Sequence, residues 1–442
     1  MNQELVSMYS PPAALRPPPE GASACLGAAR RQSLAAPGAA QGALDTSAFP
    51  SSVRWALRLL ERFSNGSLEL VLPDGQRARF GAGPPHAQIR LHNWAPVQAA
   101  LRSGDIGFAE AFVAGDWSTD DPVRVLQYFI RNREAAESVI YGSFWGGLAY
   151  RLKHWLNRNT KEQAKKNIHA HYDLGNAFYA LWLDPTMTYS SALFAQTQVD
   201  PHAAATADEL ASAQRAKYQR VLEQLRLAPG SRVLEIGCGW GGFAETAARA
   251  GHLVKGLTLS AAQLQFAQAR LERQDLPAEL VRQDYRDERA QYDGVASIEM
   301  FEAVGEEYWP SYFDTLARSL KRGGRACIQT IEIADRLFER YRRSSDFIQQ
   351  YIFPGGMLPC PAGFRRQAEH AGLRVVHAHS FGTHYAKTLA SWRVRFMAKL
   401  DAVRAQGFDE RFIRIWHLYL AYCEAAFAEG NTDVTQYTLE KT

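Results

Sequence analysis

The stretch Val233–Phe243, "VLEIGCGWGGF", sets a short apolar run directly before four clustered glycines. Gly237, Gly239 and Gly242 satisfy GxGxxG between a strand-like and a helix-like run, the setting in which a dinucleotide loop turns backbone N–H groups toward a diphosphate. That reading requires an acidic residue about twenty positions on, closing the second strand against the ribose hydroxyls. Here the second strand ends "GLTLSAAQ", without a carboxylate. The acid instead precedes the glycines, as Glu235 in an ExGxGxGG pattern.

That pattern resembles the signature of S-adenosylmethionine (SAM) methyltransferases. SAM carries no diphosphate, so the glycines serve to let the backbone approach its amino-acid end and ribose closely. Asp284, in "VRQDYRD", ends the third strand, where a carboxylate accepts from the adenine amino group; "LARSLKRGGRACIQTI" supplies the late helix, Gly turn and strand of such a domain.

Outward from the loop, short apolar strands alternate with amphipathic helices from His171 onward, which predicts a parallel sheet covered on both faces with ligands at the strand C-termini. The expected fold class is α/β: a class I SAM-methyltransferase (Rossmann-like) doubly wound sheet with a smaller N-terminal α+β domain. Residues 1–50 are rich in Ala, Pro and Gly and read as a disordered tail. Residues 51–141 read as the α+β domain, with a helix "VRWALRLLERF", two strand-like runs around a Pro73-Asp74-Gly75 turn, and two further helices; its apolar residues read as core. Residues 142–166 interleave aromatic and basic residues, as an interfacial membrane helix or a solvated linker does. Residues 167–442 read as the methyltransferase domain with lipid-binding insertions.

A formal charge of +4 on 442 residues gives no polyanion partner, so nucleic acid is not expected. The five cysteines lack CxxC or metal-like spacing, which argues against structural zinc and for a cytoplasmic protein. The first residues show neither a basic n-region nor an apolar h-region, and eighteen uninterrupted apolar residues occur nowhere, so export and membrane spanning are not expected.

Beyond the SAM core, "HYDLGNAFYALWLDPTMTYSSALF", "SIEMFEAVG", "FIQQYIFPGGMLP", "THYAKTLASW" and "LYLAYCEAAF" occur in that order. At these residues the chain resembles cyclopropane-fatty-acyl-phospholipid synthases and the related mycolic acid methyltransferases, from about Asn167 to the C-terminus. The resemblance implies methyl transfer from SAM to the cis double bond of an unsaturated phospholipid acyl chain, with bicarbonate removing a proton as a cyclopropane ring closes. It places SAM against Tyr189, Ser190, Gly237, Gly239, Gly241, Thr258, Leu259, Gln263, Asp284 and Tyr285, beside Glu235. It gives Glu302 the bicarbonate, with Tyr385 donating to it, and aligns Cys423 with a family cysteine for which the chemistry has no thiolate role. Rings including Phe178, Tyr179, Trp182, Phe301, Tyr351 and Phe353 are candidates to face the cation. The resemblance further implies peripheral association with the inner face of the membrane and a homodimer.

Two positions depart from the family: its YSCA cysteine is Ser191 here, and the histidine of its HTI is Gln329. Both can donate hydrogen bonds, yet Gln329 cannot shuttle a proton. Two products therefore stay open, a cyclopropane acyl chain or a methylene or methyl-branched one, with a non-lipid SAM-binding protein as the outlying reading.

Overall fold

The computed structural model describes residues 46–135, 174–196 and 198–442. Most of the tail expected at 1–50 and all of the basic aromatic segment at 142–166 lie outside them. Residues Phe49–Thr442 form one compact unit that contains two sheets.

The N-terminal layer begins with α1 (Ser51–Leu60), followed by β1 (Gly66–Val71), β2 (Arg77–Ala82) and β3 (His86–Leu91). The run read as one strand through "ARFGAGPPHAQIRLH" is two: Pro84 and Pro85, lacking N–H donors, end the ladder, so β2 pairs antiparallel and β3 parallel on opposite sides of β1. Next come α2 (Ala95–Ala114), β4 (Trp117–Ser118) and α3 (Pro122–Arg131), giving the order β2-β1-β3-β4. Helix α2 breaks at Ser103 and Gly104, where Gly104 takes φ +62° and ψ −135°. Asp121 caps α3, its side chain accepting from the N–H groups of Val123 and Arg124 with Pro122 at the first helical position.

After α4 (Asn176–Ala180), helix α5 (Ala207–Leu225) opens on a Thr206/Glu209 capping box. The second sheet then alternates as expected: β5 (Arg232–Ile236), α6 (Gly242–Arg249), β6 (Leu253–Thr258), α7 (Ala261–Glu272), β7 (Ala278–Arg282) and β8 (Tyr292–Ile298). It finishes with α8 (Trp309–Ser319), β9 (Leu320–Ile333), α9 (Asp335–Arg343), α10 (Phe347–Tyr351), α11 (Pro361–His370) and β10 (Leu373–Ser380). Last are α12 (Gly382–Met397), α13 (Leu400–Ala405), α14 (Glu410–Ala428) and β11 (Thr432–Lys441). The strand order is β10-β11-β9-β8-β5-β6-β7, parallel except for the antiparallel pairs made by β11. Separate apolar clusters fill the two faces, one around Phe301, Tyr312 and Phe313, the other around Phe243, Ala247 and Leu271.

Helix α14 joins the two layers. Val123 of α3 packs on Ala421 and Ala425, and Glu429, just past α14, accepts from Gln127 at 2.7 Å and Arg131 at 2.8 Å. No helix among the described residues is long and apolar enough to cross a membrane.

Candidate functional site

Strand order reverses between β5 and β8, so the crevice past their C-termini is where a doubly wound sheet takes its ligand. Past β5 the chain turns at Gly237, φ +83°, where a Cβ would stand 2.8 Å from Met300 Cγ, so glycine alone lets the loop pass. A cavity of about 160 Å³ lies there, lined by Tyr189, Ser190, Glu235, Gly237, Gly239, Thr258, Leu259, Gln263, Asp284 and Tyr285. Of the expected cofactor residues only Gly241 is missing from its wall. Gly241, just before α6 at φ +82°, has a Cβ position 3.0 Å from Ala267 Cβ, so a side chain there would crowd α7.

Glu235 is buried, and its Oε2 has no hydrogen-bond partner among the described residues; burial pushes its carboxyl up to about 8. An unmatched carboxylate oxygen beside a glycine-walled cavity suits an ammonium group, so these residues fit the amino-acid end of SAM. Asp284 is already engaged: Arg286 grips it through Nε at 2.9 Å and Nη2 at 2.7 Å, an ion pair that the sequence did not signal. An adenine amino group there would share the carboxylate with that guanidinium.

The expected bicarbonate ligands converge elsewhere than foreseen. Ser191 donates its backbone N–H to Glu299 Oε1 at 2.8 Å, Gln329 donates Nε2–H to the same oxygen at 2.7 Å, and Tyr385 donates its hydroxyl to Glu299 Oε2 at 2.6 Å. The three donors assigned to bicarbonate thus hold a carboxylate of the chain itself, and the residues do not fit a bound bicarbonate. Ser191 takes part through its N–H, while its hydroxyl donates to the Ala192 carbonyl. Gln329 is oriented from behind: Arg220 donates to Gln436 Oε1 at 2.6 Å, and Gln436 donates to Gln329 Oε1 at 2.9 Å, which leaves the Gln329 amide N–H for Glu299.

Glu302 is the neighbouring acid. Its Oε1 accepts from the Ile331 N–H, its Oε2 has no partner among the described residues, and burial together with the charge of Glu299 pushes it up to about 8. Two like charges in one dry pocket do not both ionise readily. Glu299, with three donors and Lys217 nearby, is the ionised member; Glu302 keeps the proton. Burial raises Glu299 as well, against those donors.

Lys217 is wholly buried and donates to Ser190 Oγ, while Gln214, one turn earlier, donates to the Ser190 carbonyl at 2.8 Å. Helix α5 thereby clamps the segment that carries Ser191 to Glu299. Burial pulls the Lys217 ammonium down to about 7 against the pull of Glu299, Asp184 and Glu235.

A larger cavity of about 460 Å³ opens on the other side of Tyr189 and Glu299, which border both spaces. Near the carboxylates it is walled by Tyr385, Phe353, Tyr419, Cys423 and Phe427. Of the rings expected to face a cation, Phe353 lines this cavity; Phe178, Tyr179, Trp182 and Phe301 are core, and Tyr351 turns its hydroxyl to Glu110. Cys423 lines the wall as a thiol, raised far above its ordinary pKa by burial, which removes it as a nucleophile.

Two residues of this pocket escaped the sequence reading, although each left a trace. Glu299 stands three positions before Glu302 at the end of a strand, at φ +49°, a backbone region that a glutamate seldom adopts and that costs about 1–3 kcal/mol. Lys217 falls on the spacing of Leu210, Ala213, Gln214 and Val221, all buried, so its position lay on the inner face of α5.

The family model described as mycolic acid cyclopropane synthetase matches residues 159–437. A tuberculostearic acid methyltransferase of Mycobacterium tuberculosis is 41% identical over 406 residues, 88% of this chain and 91% of that protein. The cyclopropane-fatty-acyl-phospholipid synthase of Escherichia coli strain K12 is 34% identical over 361 residues, 81% of this chain and 89% of that one. The solved mycolic acid cyclopropane synthase CmaA1, in complex with SAH and CTAB, superposes with a TM-score of 0.57 at 31% identity, covering 63% of this chain and 98% of its own.

Proposed function

The chain belongs to the mycolic acid cyclopropane synthetase family of SAM-dependent methyltransferases, and from that premise we propose that it methylates the cis double bond of an unsaturated acyl chain in a phospholipid, with Glu299 as the proton acceptor and a methylene-bearing acyl chain as product. The observation that carries this reading is the seat of the Glu299 carboxylate on the three donors expected for bicarbonate.

SAM supplies a methyl group on a sulfonium. The residues around it then have three tasks. Glu235 and the Gly237–Gly239 turn hold the amino-acid end, and the rings of Tyr189, Tyr385 and Phe427 wall the acceptor away from water, where the charge on a cationic carbon is stabilised by π faces and by the Glu299 carboxylate. Glu299 takes the proton. As the new carbon–carbon bond forms, the methyl–sulfur bond breaks with its electron pair left on sulfur, and the neighbouring alkene carbon becomes cationic; the hydrogen on the methylated carbon shifts across with its electron pair. The methyl group then loses a proton to Glu299, and that C–H pair becomes the double bond of a methylene branch. Atoms and electrons balance without a reductant, whereas a saturated methyl branch requires a separate hydride donor.

Ring closure with the same acceptor is the competing outcome. The reading is tested by incubating the protein with vesicles of unsaturated phospholipid and methyl-deuterated SAM, then resolving the acyl chains by gas chromatography and NMR. A methylene branch (=CH2) carrying the label is expected; ring methylene signals overturn the product, and absence of label from every acyl chain overturns the reaction. Association with a membrane and pairing of two copies belong to the same proposal, as does placement at the inner face, with flotation on liposomes and sedimentation as their tests.

A further inference from the structure

The larger cavity does not stop at the catalytic layer. Its wall continues from Glu299, Glu302 and Tyr385 onto Leu60, Val97, Leu101, Phe108 and Phe129, which belong to α1, α2 and α3 of the N-terminal layer. These five side chains are only partly buried, although their neighbours Phe112 and Val125, which do not reach the cavity, are buried in that layer. The apolar content expected to be core is therefore divided, part of it packed and part turned to the cavity. Leaving such surface uncovered forfeits about 25 cal/mol for each Å², and an apolar chamber of this size has the dimensions of a ligand site.

The chamber arises from the break in α2. Gly104 lines it, and at Gly107 a Cβ would stand 2.1 Å from the Ala99 carbonyl oxygen, so the two halves of the helix cross too closely for a side chain there. Away from the Glu299 and Glu302 carboxylates, the acidic and basic wall residues among those described are Asp105, Arg133 and Asp346. Burial pushes Asp105 up to about 7 and Asp346 up to about 6, which holds this part of the wall near neutrality. The family model starts at residue 159, so α1, α2 and α3 lie outside that match.

We propose that the N-terminal layer is the second half of the acyl site: the chain end beyond the reacting double bond runs from Glu299 into the chamber between α1, α2 and α3, and the depth of that chamber selects acyl length. The proposal rests on the reading of the acceptor as an unsaturated acyl chain. The occupant is fixed by continuity, because the space that the chamber extends is the one bordered by the proton acceptor.

The test uses the full chain and mixed vesicles of phosphatidylglycerol carrying monounsaturated chains of graded length. Leu101→Trp, and Val97→Trp one turn earlier as a second variant, fill the chamber. The ratio of kcat/KM for the longest to the shortest accepted chain is expected to fall by about tenfold or more, since a pocket discriminates roughly that much per methylene. SAH affinity and melting temperature serve as controls for folding. Two folded variants with the wild-type length profile overturn the proposal. If the wild-type protein labels no acyl chain at all, it is the proposed function that fails; if it does label them and the profile stays fixed, only the chamber assignment fails.

Discussion

The Tyr385 hydroxyl donates to Glu299 Oε2 at 2.6 Å, from the first turn of α12 to the residue after β8, and so ties α12 to the carboxylate pocket. Glu299→Gln keeps the size of the side chain and removes the acceptor. Product formation from labelled SAM is expected to fall by about 10²–10⁴-fold, the range for loss of a positioned base, while SAH binding by calorimetry is unchanged. Glu299→Gly frees the three donors at a position whose φ suits glycine, and added bicarbonate is expected to restore turnover to that variant alone. Stimulation of the wild-type protein by bicarbonate would count against the internal acceptor.

Glu302→Gln imitates the protonated acid. Because Glu302 holds the shared proton, the variant is expected to keep activity within about tenfold. Because Glu302 is already uncharged over the range in which Glu299 titrates, the acidic limb of the pH–rate profile is expected to stay in place. A loss as deep as that of Glu299→Gln would return the central role to Glu302.

Gln329→Leu deletes one of three donors to an ionised carboxylate, a bond worth about 1.5–3 kcal/mol. A carboxylate with fewer donors binds its proton more tightly, so here the acidic limb moves to higher pH. Gln436→Leu is expected to produce a weaker shift of the same sign, because it frees the Gln329 amide to rotate. Rate measurements across pH for both variants check the relay; unmoved limbs would dismiss it.

Glu235 carries its proton up to about 8, and an ammonium ligand favours the carboxylate. SAM binding is therefore expected to release a proton at neutral pH and to tighten as pH rises toward 8, levelling off above it. Calorimetry in buffers of different ionisation enthalpy measures that proton. Glu235→Gln should abolish its release; undiminished release from that variant would assign the proton elsewhere.

How much of this was legible depends on the range of the interaction. The Glu235–Gly242 loop, the alternation of strands and helices, and the cofactor cavity follow from local spacing, since a strand, a glycine turn and a helix are each specified within a few residues. The ordered motifs from His171 to Phe427 were likewise enough to indicate the family. Sequence also brought Ser191, Gln329 and Tyr385 to one ligand. It did not identify that ligand, because a carboxylate three residues from Glu302 differs from a solvated acid only once Ser191, Gln329 and Tyr385, 108, 30 and 86 positions away, close around it. The Arg286 grip on Asp284 and the depth of Lys217 have the same character, as does the division of the N-terminal apolar residues between core and chamber. Periodicity shows that a side chain faces inward, and only the packing of one layer on another decides whether it meets protein or a cavity.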